Sequence, residues 1–249
     1  MLRRTLALEK TIDLNCDIGE SYGAWRMGDD LALLDVVTSA NVACGFHAGD
    51  PTTIEATVCA AAERGVAIGA HPSYPDLAGF GRRSMDLKPA DVEAGVLYQI
   101  GALAAFARAS GVPLHHVKPH GALYNDAFSN TVLARAIATA VARFDKALVL
   151  VGLPKSALLA AGRAAGLPTA AEGFCDRAYE PDGTLRSRTK DGALITNPAK
   201  AARQALDLAG SGHVQTLCIH GDTPGASAIA FAVRAALRDA GFAIAPLRA

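Results

Sequence analysis

The decapeptide T-I-D-L-N-C-D-I-G-E, residues 11–20, is the stretch around which the rest of the chain is organised. Apolar and polar residues alternate strictly within it: Ile12, Leu14 and Cys16 against Asp13, Asn15 and Asp17. This alternation predicts a β-strand with one apolar and one polar face. A buried carboxylate without a partner costs several kcal/mol. We therefore expect the polar face to meet a metal, a cluster of cations and donors, or water in a cavity. The alternative is an edge strand whose polar face is solvated.

The composition excludes several classes of function. The chain has 249 residues, of which 51% are hydrophobic and 19% charged, enough for one large core and typical of an α/β barrel. The net charge is zero and no basic run is present, which argues against nucleic-acid binding. No apolar stretch reaches the about 20 residues that a membrane helix needs. The first ten residues lack the apolar core of a signal peptide. The five cysteines form no C-x-x-C pair, so we expect a cytoplasmic protein with reduced thiols.

Segments typical of strands and helices alternate seven or eight times along the chain, with Asp50-Pro51 and Asn197-Pro198 as helix starts. This order predicts a parallel sheet with crossover helices. Length and repeat number favour an α/β fold consisting of a single closed (β/α) barrel of seven or eight parallel strands over an open doubly wound sheet. We expect one domain over residues 1–249, with a short N-terminal tail at 1–10 and a hairpin excursion at 174–190.

Four of the seven histidines each close a predicted apolar strand: His47, His71, His120 and His220. In a parallel barrel the carboxyl ends of the strands share one face, where enzymes of this architecture place their catalytic residues. A single histidine there is commonly a structural hydrogen-bonding residue, but four on one rim favour a functional site. Alternate residues of a strand share one face, so further polar groups are expected on the inward faces: Asn41 with His47, Lys118 with His120, and Asp222 with His220.

Three strand ends predict a divalent-metal site. Asp17, His47 and His71 end strands that we expect to be neighbours, and two histidines with one carboxylate form a recurring metal triad.

Two cationic residues have open interpretations. For Lys118, burial lowers the pKa toward catalytic use, or the residue forms a plain salt bridge with Asp13 or Glu172. Arg82, next to Gly81, either seats a carboxylate or phosphate or is a solvated loop charge. The sequence contains neither a phosphate-binding G-x-x-x-x-G-K-[ST] loop nor a G-x-S-x-G elbow.

Six blocks of the chain, in order, resemble the LamB/YcsF family. They are D-L-N-C-D-I-G-E at 13–20, S-A-N-V-A-C-G-F-H-A-G-D at 39–50, G-A-H-P-S at 69–73, H-V-K-P-H-G-A-L-Y-N at 116–125, E-G-F-C-D-R-A-Y at 172–179 and C-I-H-G-D at 218–222. The resemblance implies a barrel similar to those of deacetylases and glycosidases. It also implies a hydrolase function: opening of 5-oxo-L-proline to L-glutamate, driven by ATP, as the A subunit of a 5-oxoprolinase together with subunits B and C.

The resemblance and the rim pattern together give a predicted set of site residues. The catalytic set is Asp13, Lys118, His120, Glu172, His220 and Asp222; the substrate-binding set is Asn15, Asn41 and Arg82; the metal set is Asp17, His47 and His71. We expect Asp13 or Asp17 to act as base, Lys118 and His120 to stabilise the oxyanion, and His220, near Asp222, to protonate the leaving nitrogen. ATP is expected as co-substrate of the complex, with phosphoryl transfer in the partner subunits. Two rivals remain: a stand-alone metal-dependent deacetylase and a non-catalytic substrate-binding subunit.

Overall fold

Strands and helices alternate throughout residues 10–247, which are the residues that the structure, a computed structural model, describes. The strands are β1 Lys10–Ile18, β2 Ser39–Ala43, β3 Ala67–His71, β4 Leu114–Val117, β5 Val149–Gly152, β6 Thr169–Phe174, β7 Thr216–His220 and β8 Phe242–Ile244. The helices are α1 Asp30–Leu34, α2 Pro51–Glu63, α3 Pro89–Ala109, α4 Gly121–Asp126, α5 Thr131–Phe144, α6 Ala157–Ala164, α7 Pro198–Gly210 and α8 Ala226–Asp239.

Strands β1 to β7 close into a parallel barrel surrounded by helices, which confirms the predicted fold class. Each strand from β1 to β6 pairs in parallel with the next, and β7 pairs back to β1. Asp17 marks the closure, because it lies opposite Asn41 of β2 and opposite His220 of β7. Strand β8 pairs only with the first three residues of β1 and stands outside the closed ring.

Both faces of β1 are buried. Its apolar residues join the main hydrophobic core between barrel and helices. Its polar residues are as deeply buried, with exposed fractions of 1% for Asp13, 2% for Asn15 and 4% for Asp17. Because β1 has a strand on each side, the edge-strand interpretation is wrong. The polar face points into the barrel, where partners from other strands must satisfy it.

Helix starts follow the signals in the sequence. Asp50 caps α2 by accepting hydrogen bonds from the backbone N–H groups of Thr52 and Thr53, and Pro51 is the first helical residue. Asn197 caps α7 by accepting one hydrogen bond from the backbone N–H of Lys200, and Pro198 is the first helical residue. Both predicted starts are confirmed.

Two of the four histidines do not close strands, so the parity argument is wrong for them. Strand β2 ends at Ala43 and β4 at Val117, which places His47 and His120 in the loops that follow. Gly45 has a φ of 96°, which breaks the extended strand, and Pro119 has no N–H to continue the ladder. His71 and His220 are the last residues of β3 and β7, as predicted.

The connection from β6 to α7 contains antiparallel bridges between Tyr179 and Leu185 and between Arg177 and Leu194. The excursion predicted at 174–190 falls in this connection. The tail predicted at 1–10 lies outside the described residues except for Lys10, the first residue of β1. None of the helices within residues 10–247 is both long and apolar enough to cross a membrane.

Candidate active site

The polar layer farthest from the carboxyl ends of the strands surrounds Asp13. Its Oδ1 accepts hydrogen bonds from the hydroxyls of Thr38 and Ser39, each at 2.7 Å, and its Oδ2 accepts one from Thr216 at 2.5 Å. Burial raises the pKa of Asp13 to about 6, although the three hydroxyl donors oppose that shift. The structure places this predicted catalytic residue below the cavity described further on, which it does not line.

Two asparagines form the next layer. Asn15 donates to Glu172 Oε1 at 3.0 Å and to Thr216 Oγ1 at 2.6 Å. Asn41 donates to Asn15 Oδ1 at 2.7 Å and to Asp17 Oδ1 at 2.9 Å. Both were predicted to bind substrate, but neither lines the cavity. In the structure they orient the carboxylates of Asp17 and Glu172.

Lys118 is held between two buried carboxylates. Its Nζ lies 2.9 Å from Asp17 Oδ1 and 2.9 Å from Glu172 Oε1, and 3.0 Å from Cys218 Sγ. The salt bridge predicted with Glu172 is present, whereas Asp17 takes the place proposed for Asp13. Burial alone would lower the pKa of Lys118, but Asp17 and Glu172 outweigh it and hold that pKa well above its usual value. Of the two interpretations, the contacts support the salt bridge and not a lowered pKa, so these carboxylates favour the charged form of Lys118.

Glu20, His47, His71 and His120 form a compact group, here called the histidine cluster, whose ligand atoms lie within 4.8 Å of one another. Each member is at most 5% exposed. Of the predicted metal set, His47 and His71 belong to this cluster. Asp17 borders it, with Oδ2 3.4 Å from His71 Nε2, and also groups with Cys218 and His220. Burial and the neighbouring imidazoles hold the pKa of His47 and His120 well below the usual range, so both are neutral.

His220 is oriented by Asp176. Asp176 Oδ1 accepts a hydrogen bond from His220 Nδ1 at 2.9 Å, and Oδ2 accepts from the His220 backbone N–H and the Thr223 hydroxyl, at 3.1 and 2.6 Å. Burial opposes ionisation of Asp176, but His220 and these donors keep its pKa below the usual value. Asp176 thereby fixes the orientation of the His220 ring, with Nδ1 toward Asp176 and Nε2 3.9 Å from Asp17 Oδ2.

Asp222, predicted to assist His220, has other partners. Its Oδ2 accepts hydrogen bonds from Arg82 Nη2 at 2.6 Å and from Arg188 Nη1 at 3.3 Å. Asp222 does not line the cavity, but both arginines do. Its place in the structure is to tie together two loops at the cavity mouth.

One cavity of about 430 Å³ opens over these residues. Asp17, His71, Lys118, His120 and His220 line it, and so do four arginines: Arg82, Arg177, Arg186 and Arg188. Arg177 donates through Nη2 to the Arg186 carbonyl at 2.6 Å, but its buried Nε has no hydrogen-bond partner among residues 10–247. Burial and the charge of Arg188 lower the pKa of Arg177 to about 10. It remains charged at neutral pH and lines the cavity, so this wall carries positive charge suited to an anion.

Known proteins similar to this chain share both its sequence and its barrel. The LamB/YcsF family model matches residues 12–249. The chain belongs to the LamB/YcsF family. A relative from Methylococcus capsulatus, named as the A subunit of 5-oxoprolinase, is 55% identical, covering 96% of this chain and 97% of that protein. The "Lactam Utilization Protein" of Thermus thermophilus superposes with a TM-score of 0.90 at 49% identity, over 95% of this chain and 100% of that one.

A more distant structure shares the fold alone. The catalytic domain of peptidoglycan N-acetylglucosamine deacetylase from Eubacterium rectale superposes with a TM-score of 0.55 at 14% identity, over 96% of this chain and 88% of that one. The likeness in barrel between the LamB/YcsF family and deacetylases, implied by the sequence, is therefore present.

The LamB/YcsF blocks contain the site residues that sequence reasoning missed. Glu20 and Asp176 lie just beyond the carboxyl ends of β1 and β6, within the blocks at 13–20 and 172–179. Tyr124 lies in the block at 116–125 and donates its hydroxyl to Glu172 Oε2 at 3.0 Å. Glu20 and Asp176 each follow a strand closely, and this position in the sequence could have identified them as site residues. Nothing comparable points to Tyr124 or Arg177.

Proposed function

We propose that this chain is the A subunit of a 5-oxoprolinase and that its cavity carries out the ring-opening step from 5-oxo-L-proline to L-glutamate. The names of the Methylococcus relative and of the Thermus protein support this proposal. The observation that carries it is a single cavity that brings together an oriented imidazole, a buried ammonium group and a guanidinium that forms no ion pair among residues 10–247. These three groups meet the needs of hydrolysis of an amide that bears a carboxylate.

His220 is the general base in this scheme. With Nδ1–H held by Asp176, its free Nε2 accepts a proton from water as the water oxygen bonds to the lactam carbon. When the ring C–N bond breaks, His220 returns that proton to the departing nitrogen. One residue thereby serves as base and then as acid. When the lactam oxygen is phosphorylated, C–N cleavage frees the amine and leaves an acyl phosphate, which a second water hydrolyses to the carboxylate of glutamate and inorganic phosphate.

Lys118 stabilises the negative charge that develops on the lactam oxygen. Its raised pKa keeps it protonated, and it lines the cavity floor. His120 fits this role less well than the sequence indicates. Its Nε2 lies 2.9 Å from the Phe80 carbonyl, which can only accept, so the single N–H of the neutral ring is already used.

The arginines seat the anionic part of the substrate. Arg82 lines the cavity as predicted, but its guanidinium already pairs with Asp222. Arg177 lines the cavity and forms no ion pair among residues 10–247, so it is the better partner for the carboxylate of 5-oxoproline. The same positively charged wall would accept a phosphoryl group added to the lactam oxygen.

ATP and the partner subunits complete the proposal. ATP is the co-substrate of the complex, and subunits B and C perform the phosphoryl transfer that activates the amide. We place the complex in the cytoplasm, because all five cysteines are free thiols.

Omitting each subunit in turn tests the function. Glutamate release from 5-oxo-L-proline and ATP should require this chain together with subunits B and C. Normal turnover without this chain would show that its role is non-catalytic, and it would refute the assignment of the chemistry to its cavity.

The histidine cluster keeps one alternative open, a metal-dependent deacetylase that acts alone. Its ligand types suit a metal hydrolase. Release of acetate from N-acetylated sugars by the isolated chain, without ATP, would favour this function over ring opening.

A further inference from the structure

We infer that the histidine cluster is a binding site for one first-row divalent cation, best matched by Zn²⁺. The proposed ligand atoms are Glu20 Oε1, His47 Nε2, His71 Nε2 and His120 Nδ1. This set omits Asp17 and adds two residues to the pair that the sequence predicts. The inference concerns metal binding alone and holds whichever reaction the cavity performs.

Hydrogen bonds on the far side of two rings fix their lone pairs. His71 Nδ1 lies 2.7 Å from the Lys118 carbonyl and His120 Nε2 lies 2.9 Å from the Phe80 carbonyl. A carbonyl oxygen only accepts, so both of these nitrogens carry the hydrogen. With the hydrogen on the far nitrogen of each ring, His71 Nε2 and His120 Nδ1 face each other as acceptors at 3.0 Å, and Asp17 Oδ2 lies 3.4 Å from His71 Nε2. Acceptors this close need a metal cation or a proton between them.

Ligand histidines in metalloproteins usually donate their second N–H to a carbonyl or carboxylate, which sets the tautomer and ring orientation. His71 and His120 both show this arrangement. The Phe80 carbonyl is presented by a turn in which Phe80 itself has a φ of 54°, a strained conformation for a residue other than glycine. The neighbouring Gly81 leaves no room for a side chain, since a Cβ there would lie 2.8 Å from His120 Cδ2 and 2.9 Å from His47 Cβ. The loop thus closes tightly over the cluster.

Three spacings between the ligand atoms are close to those of tetrahedral coordination, whereas the stacked His47 and His120 rings, with centroids 3.8 Å apart, require one ring to turn before both bind the same ion. Zinc bonds of about 2.0–2.1 Å place tetrahedral ligand atoms about 3.3 Å apart. Glu20 Oε1 lies 3.1 Å from His47 Nε2 and 3.3 Å from His120 Nδ1, and the two facing imidazole nitrogens lie 3.0 Å apart. Three imidazoles and one carboxylate are also donors that zinc prefers.

The charge around Glu20 points the same way. Among residues 10–247, its ion-pair partners within 4.0 Å are only His47 and His120. Lys118, the nearby buried cation, is already shared by Asp17 and Glu172. A divalent cation would neutralise Glu20 and offset the excess of buried carboxylates.

Metal content of the full chain, prepared without an affinity tag, tests the site. After treatment with EDTA and return of Zn²⁺, elemental analysis should find one zinc per chain. Titration against a chromophoric chelator gives the affinity, and the visible spectrum of the Co²⁺ form should show four-coordinate geometry. Turnover is not measured, so the result is separate from that of the ring-opening assay.

Variants identify the ligands. Glu20→Gln and His120→Gln should each weaken zinc binding by at least about 100-fold, because even outer hydrogen-bonding partners are worth 10–100-fold. His213→Gln, which changes an exposed histidine outside the cluster, should keep one zinc per chain. Thermal unfolding of each variant checks that it folds. If the wild-type protein binds no stoichiometric zinc, the proposed site is wrong. The contact between His71 and His120 is then explained by a shared proton. Zinc lost in Asp17→Asn but kept in both ligand variants would overturn the ligand set.

Discussion

Replacing Asp176 by Asn should disable ring opening while leaving the fold intact. In the native site Asp176 Oδ2 accepts from the His220 backbone N–H and the Thr223 hydroxyl, and Oδ1 accepts from His220 Nδ1. An asparagine amide oxygen can take the first two hydrogen bonds. Its NH₂ group then faces His220 Nδ1 and donates to it. The imidazole proton is driven to Nε2, where the lone pair needed to accept a proton from water is lost.

The size of the effect follows from that tautomer switch. General-base catalysis contributes about 10²–10⁴-fold, and the corresponding change in serine-protease triads costs about 10⁴-fold. We therefore expect kcat to fall by about 10²–10⁴-fold, or roughly 3–5 kcal/mol of activation free energy. KM for 5-oxo-L-proline should change little, because Asp176 does not line the cavity.

The assay is glutamate release from 5-oxo-L-proline and ATP by the complex reconstituted with subunits B and C. Asp182→Asn is the matched control, since Asp182 is an exposed turn residue that accepts from Thr184. It should retain wild-type turnover. If a folded Asp176→Asn variant kept kcat within about threefold of wild type, His220 would not be the base.

Three further variants test other parts of the site. Arg177→Gln should raise KM for 5-oxo-L-proline by roughly 10–100-fold in steady-state assays, as expected for a lost charged hydrogen bond; an equal rise in the exposed control Arg203→Gln would contradict this. Lys118→Met should lower the free energy of unfolding by about 3–5 kcal/mol in urea titrations, because two carboxylates lose their cation. Adding Glu172→Gln should recover part of that loss, and no recovery would count against the pairing. The pKa of Asp13 is raised from 3.8 to about 6, so its ionisation opposes folding. The contribution of Asp13 to the free energy of unfolding should fall by about 1.4 kcal/mol per pH unit between pH 4 and 6, and Asp13→Asn should lack this component. An unchanged slope in the variant would refute the shift.

The sequence predicts the barrel because its signals are local. The alternation of polar and apolar residues in β1 predicts two opposed faces without information from any other strand. Repeated helix-start signals such as Asp50-Pro51 predict the crossover helices. Closure between β7 and β1 follows from the number of units. The polar face of β1 could also be predicted to need partners, since its carboxylates have to be satisfied wherever they are buried.

The partners within the site could not be predicted in the same way. Asp176 and His220 lie 44 residues apart, and their pairing depends on where β6 and β7 end. His47 and His120 meet through loops bent at Gly45 and Pro119, which no strand periodicity describes. Whether Lys118 has a raised or lowered pKa depends on the two carboxylates beside it, and only the packed barrel brings both within 2.9 Å.

A crystal structure of this chain bound to 5-oxo-L-proline tests the central claim most directly. We expect the substrate carboxylate at Arg177, the lactam oxygen beside Lys118 Nζ, and the lactam carbon facing His220 Nε2 across the space for one water. A ring bound outside this cavity, or bound with its lactam carbon turned away from His220 and Lys118, would contradict the account.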